Sequence, residues 1–499
     1  MATSPLVLGI DQGTSGTRAV VMNADGAVLG YAYRPLARIY PQPGWVEQDP
    51  WAVVSGVAEV VGEAVALAGC RSADIAACGI ACQRNTDFVW DAVTGRPLAN
   101  AITWQDLRTL PLVAELDGWE RAAERRYRLG YYPGPYSSAL HLAWRMANEP
   151  AVAAAAQAGT LRIGLSAAWL LTALGRPAGH CMDYSLVQAL GLYDFRSRRY
   201  WPEWLDRLGV PADALPSAQP TLHPFGTLRV VDRLGQAADV PVLATIGDQQ
   251  AALFGYGCHR PGEAECTHGT ATFVDVFVGD QPPEQALINV YFAWDLGHGP
   301  TYCLEADATV TGAAVRWMRE SLRLFDHDQE LDQLAASVAD AGGVVFVPAF
   351  TGLNVPYNDH SARGTILGLT LGSTRGHIAR AFLEALGFQV RAILETIQAE
   401  TGLHIDHLYL GGGLSASDMA CQIQADLLGI PTVRPAVTET TARGAALLAG
   451  LGAGLWRGLE DLPPLPGPLK VFEPRLSPEA RDAAYARWQR AVERARRWD

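Results

Sequence analysis

Leu6-Val7-Leu8-Gly9-Ile10-Asp11-Gln12-Gly13-Thr14-Ser15-Gly16-Thr17-Arg18-Ala19-Val20-Val21-Met22 reads as a strand over Leu6–Ile10, a tight turn, and a second strand over Ala19–Met22. Gly13 and Gly16 let the backbone bend with its N–H groups turned inward, the hydroxyls add donors, and Arg18 adds a fixed positive charge, so the turn has the make-up of a phosphate cradle. Asp11 ends the first strand. A carboxylate there is expensive to bury unless a cation or a set of donors meets it, and hydrated Mg²⁺ on a nucleotide is a suitable partner. An ordinary glycine-rich hairpin has the same pattern, so this segment alone leaves both readings open.

Working outward, Val28–Arg34 completes an antiparallel meander through a turn at Asn23-Ala24-Asp25-Gly26. Trp51–Ala68 reads as a helix and Ile75–Ala81 as the next strand. The centre of the chain repeats the device: Val240–Ile246 is a strand ending in Gly247-Asp248-Gln249-Gln250, a helical stretch Ala251–Tyr256 follows, and Glu263–Cys266 leads into Thr267-His268-Gly269-Thr270-Ala271-Thr272-Phe273. The echo of Gly13-Thr14 in Gly269-Thr270 suggests a duplication in which each half presents a phosphate-facing hairpin to a shared cleft; chance recurrence is the alternative. Further on, His407–Leu410 enters Gly411-Gly412-Gly413-Leu414-Ser415-Ala416-Ser417, opening the helical pattern Asp418–Leu428. Three glycines at a strand-to-helix turn admit a purine or a phosphate close to the backbone, but the dinucleotide spacing is absent. A charged terminal helix spans Pro478–Arg497.

Strands and helices alternate throughout 499 residues, which points to an α/β protein of two large domains. A net charge of −13 excludes a nucleic-acid surface, which needs a basic stripe, but not an anionic metabolite held by a few local donors. No secretory leader pattern and no run of about 18 uncharged apolar residues is seen, so a cytoplasmic, non-membrane protein is expected. The eight cysteines lack zinc or disulfide-framework spacing and are expected to be reduced and packed as small hydrophobes.

Taken in order, Asp11-Gln-Gly-Thr, Gly44-Trp-Val-Glu-Gln-Asp49, Cys82-Gln-Arg84, Asn100-Ala-Ile-Thr-Trp-Gln-Asp106, Pro135-Tyr-Ser137, Gly247-Asp-Gln-Gln-Ala-Ala-Leu-Phe254, Gly269-Thr270, Pro348-Ala-Phe-Thr-Gly-Leu353 and Arg363-Gly364 resemble the motifs of the FGGY carbohydrate kinases over almost the whole chain, most of all those of its glycerol kinase branch. The resemblance implies two actin-like, ribonuclease-H-like α/β domains, here 1–250 carrying most of the acceptor site and 251–499 carrying most of the nucleotide site, closing over ATP and a polyol or sugar, with Mg²⁺ on the phosphates. It implies that Thr14, Ser15 and Arg18 face the β- and γ-phosphates with Asp11 near the metal. Thr270 and Gly312 complete the nucleotide site, and Gly413 and Leu414 flank adenosine. Asp248 matches the catalytic carboxylate. Arg84, Trp104, Tyr136, Asp248, Gln249 and Phe273 match positions that hold the acceptor. The family often forms homodimers.

The residue types suit that task. An alcohol attacking a γ-phosphoryl group needs a base for its proton, which a carboxylate supplies; read alone, Asp248 would instead be the N-cap of a helix beginning at Gln249. Arg84 has a fork of donors for neighbouring hydroxyls, and Trp104 and Phe273 offer faces to a carbon chain. Alone, the arginine reads as an ion pair and the aromatics as core.

The chain also departs from the glycerol kinase pattern. Asn85 stands where those enzymes have Glu, exchanging a charged double acceptor for one acceptor and two donors. Near the nucleotide, Arg316 replaces Gln, Ser417 replaces Asn, and Gly411-Gly412-Gly413 replaces Asp-Gly-Gly, features closer to the pentulose kinases. His141 stands where many members have Lys. Phosphorylation of a small polyol or ketose is therefore the leading reading, with a D-xylulose or D-ribulose kinase as its alternative. A nucleotide-switched, non-catalytic actin-like protein would have no need of Arg84, Trp104, Tyr136 and Asp248.

Overall fold

The computed structural model describes residues 5–117, 121–269, 271–284, 287–308, 310–437 and 439–498. They form two compact units. Unit 1 comprises Met1–Gly257, Tyr291–Tyr302 and Glu439–Leu465; unit 2 comprises Cys258–Val290, Cys303–Thr438 and Pro466–Asp499. A boundary at residue 250 therefore needs two corrections, because two later segments return to the first unit. The cause is visible for Glu439–Leu465: its helix Thr440–Gly452 lies so close to the unit 1 sheet that a side chain at Gly9 would collide with the carbonyl of Ala442, and one at Gly79 with that of Ala445.

Unit 1 is built on a seven-stranded sheet, five of whose strands carry the argument: β1 (Leu6–Gln12), β2 (Gly16–Met22), β3 (Val28–Pro35), β4 (Ile75–Cys82) and β5 (Ala237–Gly247). They lie in the order β3-β2-β1-β4-β5. β1 to β3 form an antiparallel meander, and β4 and β5 run parallel to β1. The strand β1 runs two residues further than the sequence pattern suggests, because Asp11 pairs in register with Arg18 and Gln12 with Thr17. Pro50–Leu67 is a helix capped by Asp49, whose carboxylate accepts from the Trp51 N–H at 2.9 Å. It is the one described helix long and apolar enough to cross a membrane. It carries Glu59 and Glu63, and its Val53, Val57, Val60 and Val61 are buried.

Unit 2 repeats the plan with β6 (Ala264–His268), β7 (Thr272–Gly279), β8 (Pro300–Ala308), β9 (Leu408–Gly411) and β10 (Thr432–Pro435), in the order β8-β7-β6-β9-β10. Again an antiparallel hairpin, here β6–β7, is followed by two strands parallel to its first member. The echo between the two Gly-Thr turns is thus matched by strand order and direction, a stronger sign of duplication than the dipeptides themselves. The long helix Arg375–Thr401 and the terminal helix, which ends at Ala495 instead of Arg497, bury Phe382, Phe388 and Trp488 against Phe346. All eight cysteines are free thiols, and all but Cys70 are buried.

Candidate active site

In unit 1 the predicted residues gather at the ends of β1, β4 and β5, where parallel strands deliver their carboxyl-terminal residues to one edge of the sheet. The turn between β1 and β2 is closed by the Gly13 N–H donating to the Gly16 carbonyl at 3.0 Å, leaving Thr14 half-buried and Ser15 exposed. Asp11 is buried. Arg18 Nη1 lies 3.3 Å from its Oδ2, while Oδ1 is sealed from solvent and has no hydrogen-bond partner. Burial pushes the Asp11 carboxyl up to about 7 against the pull of Arg18, with Asp248 and Glu439 adding to the rise. The fixed positive charge of Arg18 is paired a second time: its Nε meets Glu439 Oε2 at 2.8 Å, and its guanidinium lies 5.0 Å from the centre of the Tyr33 ring.

Trp104 reaches this turn, its indole N–H donating to Thr14 Oγ1 at 2.7 Å. Below the turn lies a buried glutamine network that sequence reasoning did not single out. Gln83 Nε2 donates to Gln48 Oε1 at 2.9 Å and to Gln12 Oε1 at 3.3 Å, Gln48 Nε2 donates to the Thr14 carbonyl at 3.0 Å, and the Thr86 hydroxyl donates to Gln83 Oε1 at 3.1 Å. The signal available was three glutamines inside matched motifs with no task assigned to them; amides of this kind tie one loop to another once both are buried.

At the ends of β4 and β5, Arg84 Nε lies 3.5 Å from Asp248 Oδ1, with the side chains 9% and 23% exposed, so the pair is held by the fold yet open to a small molecule. The guanidinium of Arg84 also covers the ring of Tyr291 at 4.7 Å, a contact made by one of the returning segments. Asp248 is the first residue of the helix Asp248–Tyr256, not its cap; the cap is Gly247, whose N–H donates to Ser185 Oγ at 2.9 Å. Asp248 Oδ1 accepts the Gln249 N–H at 3.0 Å, and burial raises its pKa despite Arg84. Gln249 is half-buried beside it. Asn85 has a left-handed backbone, φ 54°, which Asn tolerates better than most residues, and its Oδ1 is sealed and unpartnered. Tyr136 directs its hydroxyl to the Tyr132 carbonyl at 2.6 Å.

In unit 2 the predicted residues collect around His268, which the sequence reading passed over. The Gly312 N–H donates to the Gly269 carbonyl at 3.1 Å, tying the start of the helix Gly312–Glu320 to the β6–β7 turn. Gln424 Nε2 meets His268 Nε2 at 2.6 Å, His268 Nδ1 meets Thr272 Oγ1 at 2.7 Å, and Thr272 meets Thr311 Oγ1 at 2.6 Å. Burial lowers His268 to about 4, so the ring is neutral and donates through one nitrogen while accepting through the other. Gly412 has φ 78°, and a side chain there would strike the His268 backbone. Gly413 is exposed at the start of the short turn Gly413–Ala416, and Leu414 packs on the unit 2 core. Ser417 caps the helix Asp418–Leu428 through the Ala420 N–H at 2.9 Å and donates to Asp332 Oδ1 at 2.7 Å. Arg316 is exposed and Phe273 half-buried on β7; Thr270 lies outside the described residues.

Residues 6–255 match the N-terminal domain, and residues 264–453 the C-terminal domain, of the FGGY family of carbohydrate kinases. The chain belongs to that family. As an FGGY kinase it is an ATP-dependent enzyme that phosphorylates a hydroxyl of a small polyol or sugar. It is 42% identical to the glycerol kinase of Symbiobacterium thermophilum over 494 residues, covering 99% of this chain and 98% of the relative. It is also 42% identical to that of Gloeobacter violaceus over 502 residues, with 100% and 98% covered. The fold matches a crystal structure of Plasmodium falciparum glycerol kinase with ADP at a TM-score of 0.90 and 27% identity, covering 99% and 98% of the two chains. A xylulose kinase from Rhodospirillum rubrum matches at 0.83 and 25% identity, covering 98% of each.

Proposed function

We propose that Asp248 is the general base of this FGGY kinase and that its acceptor is glycerol or a closely related short polyol. The observation that carries the reading is the Arg84–Asp248 pair at 3.5 Å, held at the strand ends yet still open to a small guest. In the reaction, Asp248 takes the proton of a primary hydroxyl as its oxygen attacks the γ-phosphorus; the bond from that phosphorus to the β–γ bridging oxygen breaks, and ADP leaves. Arg84 donates to a neighbouring hydroxyl and fixes the attacking one, with Tyr136, Gln249 and Phe273 completing the acceptor set. Thr14 and Ser15 in unit 1 supply donors to the phosphates. Gly269, Thr270, Gly312, Arg316, Gly413, Leu414 and Ser417 in unit 2 bind the nucleotide. The tie from Gly312 to Gly269 and the glycine turn next to His268 support that grouping.

Asp11 suits Mg²⁺: its sealed, unpartnered Oδ1 and raised pKa describe a carboxylate that a nearby dication would stabilise. When bound, the ion neutralises charge on the transferring phosphoryl group. Asn85 favours a second acceptor class. Its unpartnered Oδ1 replaces a charged carboxylate, so a pentulose such as D-xylulose or D-ribulose fits the same site. The net charge of −13 argues against a nucleic-acid partner, which needs a basic surface.

The test is ADP release with a panel of glycerol, tetritols, D-xylulose and D-ribulose. Turnover on glycerol or another short polyol supports the first acceptor class, and turnover confined to the ketoses supports the second. Failure on all of them overturns the acceptor reading.

A further inference from the structure

Gly247 closes β5 and immediately precedes Asp248, so the direction of its backbone sets where the Asp248 side chain starts. Its N–H donates to Ser185 Oγ at 2.9 Å, a contact supplied by the helix Tyr184–Ala189. There is little slack at this point: a side chain at Gly247 would meet Gln250 Oε1 and the stem of Arg84. The backbone that Ser185 holds is thus joined to Asp248 and packed against Arg84.

Ser185 accepts that N–H only while its own hydroxyl hydrogen is turned elsewhere. It is turned to Asp183, with Oγ 2.9 Å from Oδ2 and 3.1 Å from Oδ1. Asp183 is itself fixed. It caps the helix by accepting the Ser185 N–H at 3.1 Å and the Leu186 N–H at 3.2 Å, and it accepts the Thr221 hydroxyl at 3.2 Å. Its own N–H donates to Thr245 Oγ1 at 3.3 Å, two residues before Gly247 on β5. Gln188 holds the far end of the helix, donating to the Leu129 carbonyl at 2.9 Å and accepting the Phe292 N–H at 2.8 Å, next to the Tyr291 ring that Arg84 covers. Asp183, Ser185, Gln188, Thr221 and Thr245 are all buried, which shields these bonds from competing water.

We infer that Ser185 is a positioning residue for phosphoryl transfer: oriented by Asp183, its hydroxyl fixes the start of the helix Asp248–Tyr256 and so aims the Asp248 carboxylate. The inference rests on the reading of Asp248 as the general base. A buried hydroxyl that serves stability alone costs stability alone when it is removed. One that aims the base costs transfer rate as well, because a misplacement of about 1 Å slows an oriented reaction by about a hundredfold.

The experiment compares wild type, Ser185→Ala and Ser72→Ala at one pH, by single-turnover phosphoryl transfer at saturating ATP and glycerol, KM for each substrate, and thermal unfolding. D-xylulose replaces glycerol if only ketoses are turned over. Ser72 is the matched control: it is buried, its hydroxyl donates to the Gln236 carbonyl at 3.1 Å, and it precedes β4, at the end of the sheet opposite Asp248. Both variants should lose a few degrees of Tm. Ser185→Ala should slow transfer about ten- to hundredfold with both KM values within about twofold of wild type, while Ser72→Ala transfers at the wild-type rate. A wild-type rate in Ser185→Ala, or equal slowing in the two variants, overturns the inference. Ser185→Cys, whose sulfur is a weak acceptor, keeps the test open if the alanine variant does not fold: it should be slow, and a wild-type rate in it overturns the inference too. Asp248→Asn separates the two layers. If it transfers as fast as wild type, the base reading has failed and the inference falls with it; if it is slow while Ser185→Ala matches Ser72→Ala, the role of Ser185 alone has failed.

Discussion

Replacing Asp11 by Asn should make the ligand-free protein more stable while disabling it. The Asp11 carboxyl sits at about 7 in the fold against 3.8 for an ordinary aspartate, because it is buried at the end of β1 with one oxygen unpartnered. At 1.36 kcal/mol per pH unit, the ionised form costs the folded state roughly 4 kcal/mol above neutral pH. Between about pH 4 and 7 the folded chain binds this proton more tightly than the unfolded chain, so stability falls as pH rises through that window and stays level above it. An amide in the same place removes the dependence. Arg18 still has Glu439 at 2.8 Å, so the substitution does not strand a buried cation. Urea unfolding without nucleotide, at pH 4 and pH 8, checks this: the two proteins should differ little at pH 4, with the variant ahead by several kcal/mol at pH 8. Turnover of the variant should fall about a hundredfold, the upper range for removing a group that orients a metal site. A stability difference independent of pH, or a variant weaker at pH 8, would refute the burial argument.

Three further outcomes are expected. The Asp248 pKa is raised, so the base role proposed for it predicts that kcat declines on acidification at a pH above the ordinary carboxylate range; a flat acid limb would dissociate Asp248 from the rate. Asn85→Glu should move preference towards glycerol in a competition assay; an unchanged acceptor profile would show that position 85 does not select. His268→Ala strands the buried amide of Gln424 while Thr272 keeps Thr311, so it should destabilise unit 2 by about 1–3 kcal/mol and raise KM for ATP more than KM for the acceptor, readable by thermal unfolding and steady-state kinetics.

Local chemistry carried the sequence reading a long way. Glycines at 13, 16 and 412 mark places where backbone must turn or approach closely, and the β-rich runs on either side of each turn define the hairpins. What could not be read is long-range. The return of Glu439–Leu465 to unit 1 depends on a helix fitting against Gly9 and Gly79, more than 350 residues away, and no local signal encodes that pairing. The same holds for Tyr291 under Arg84 and for the amides of Gln12, Gln48 and Gln83, whose value lies in partners that only the fold supplies. The helix begins one residue earlier than the pattern around Asp248 suggests, with Gly247 in the cap position and its N–H met by Ser185 from another part of the chain.

The most direct test is single-turnover phosphoryl transfer by Asp248→Asn with saturating ATP and acceptor. The account predicts retained binding of both substrates and a transfer rate lower by about two or more orders of magnitude, the size of a lost general base. A transfer rate equal to wild type would contradict it.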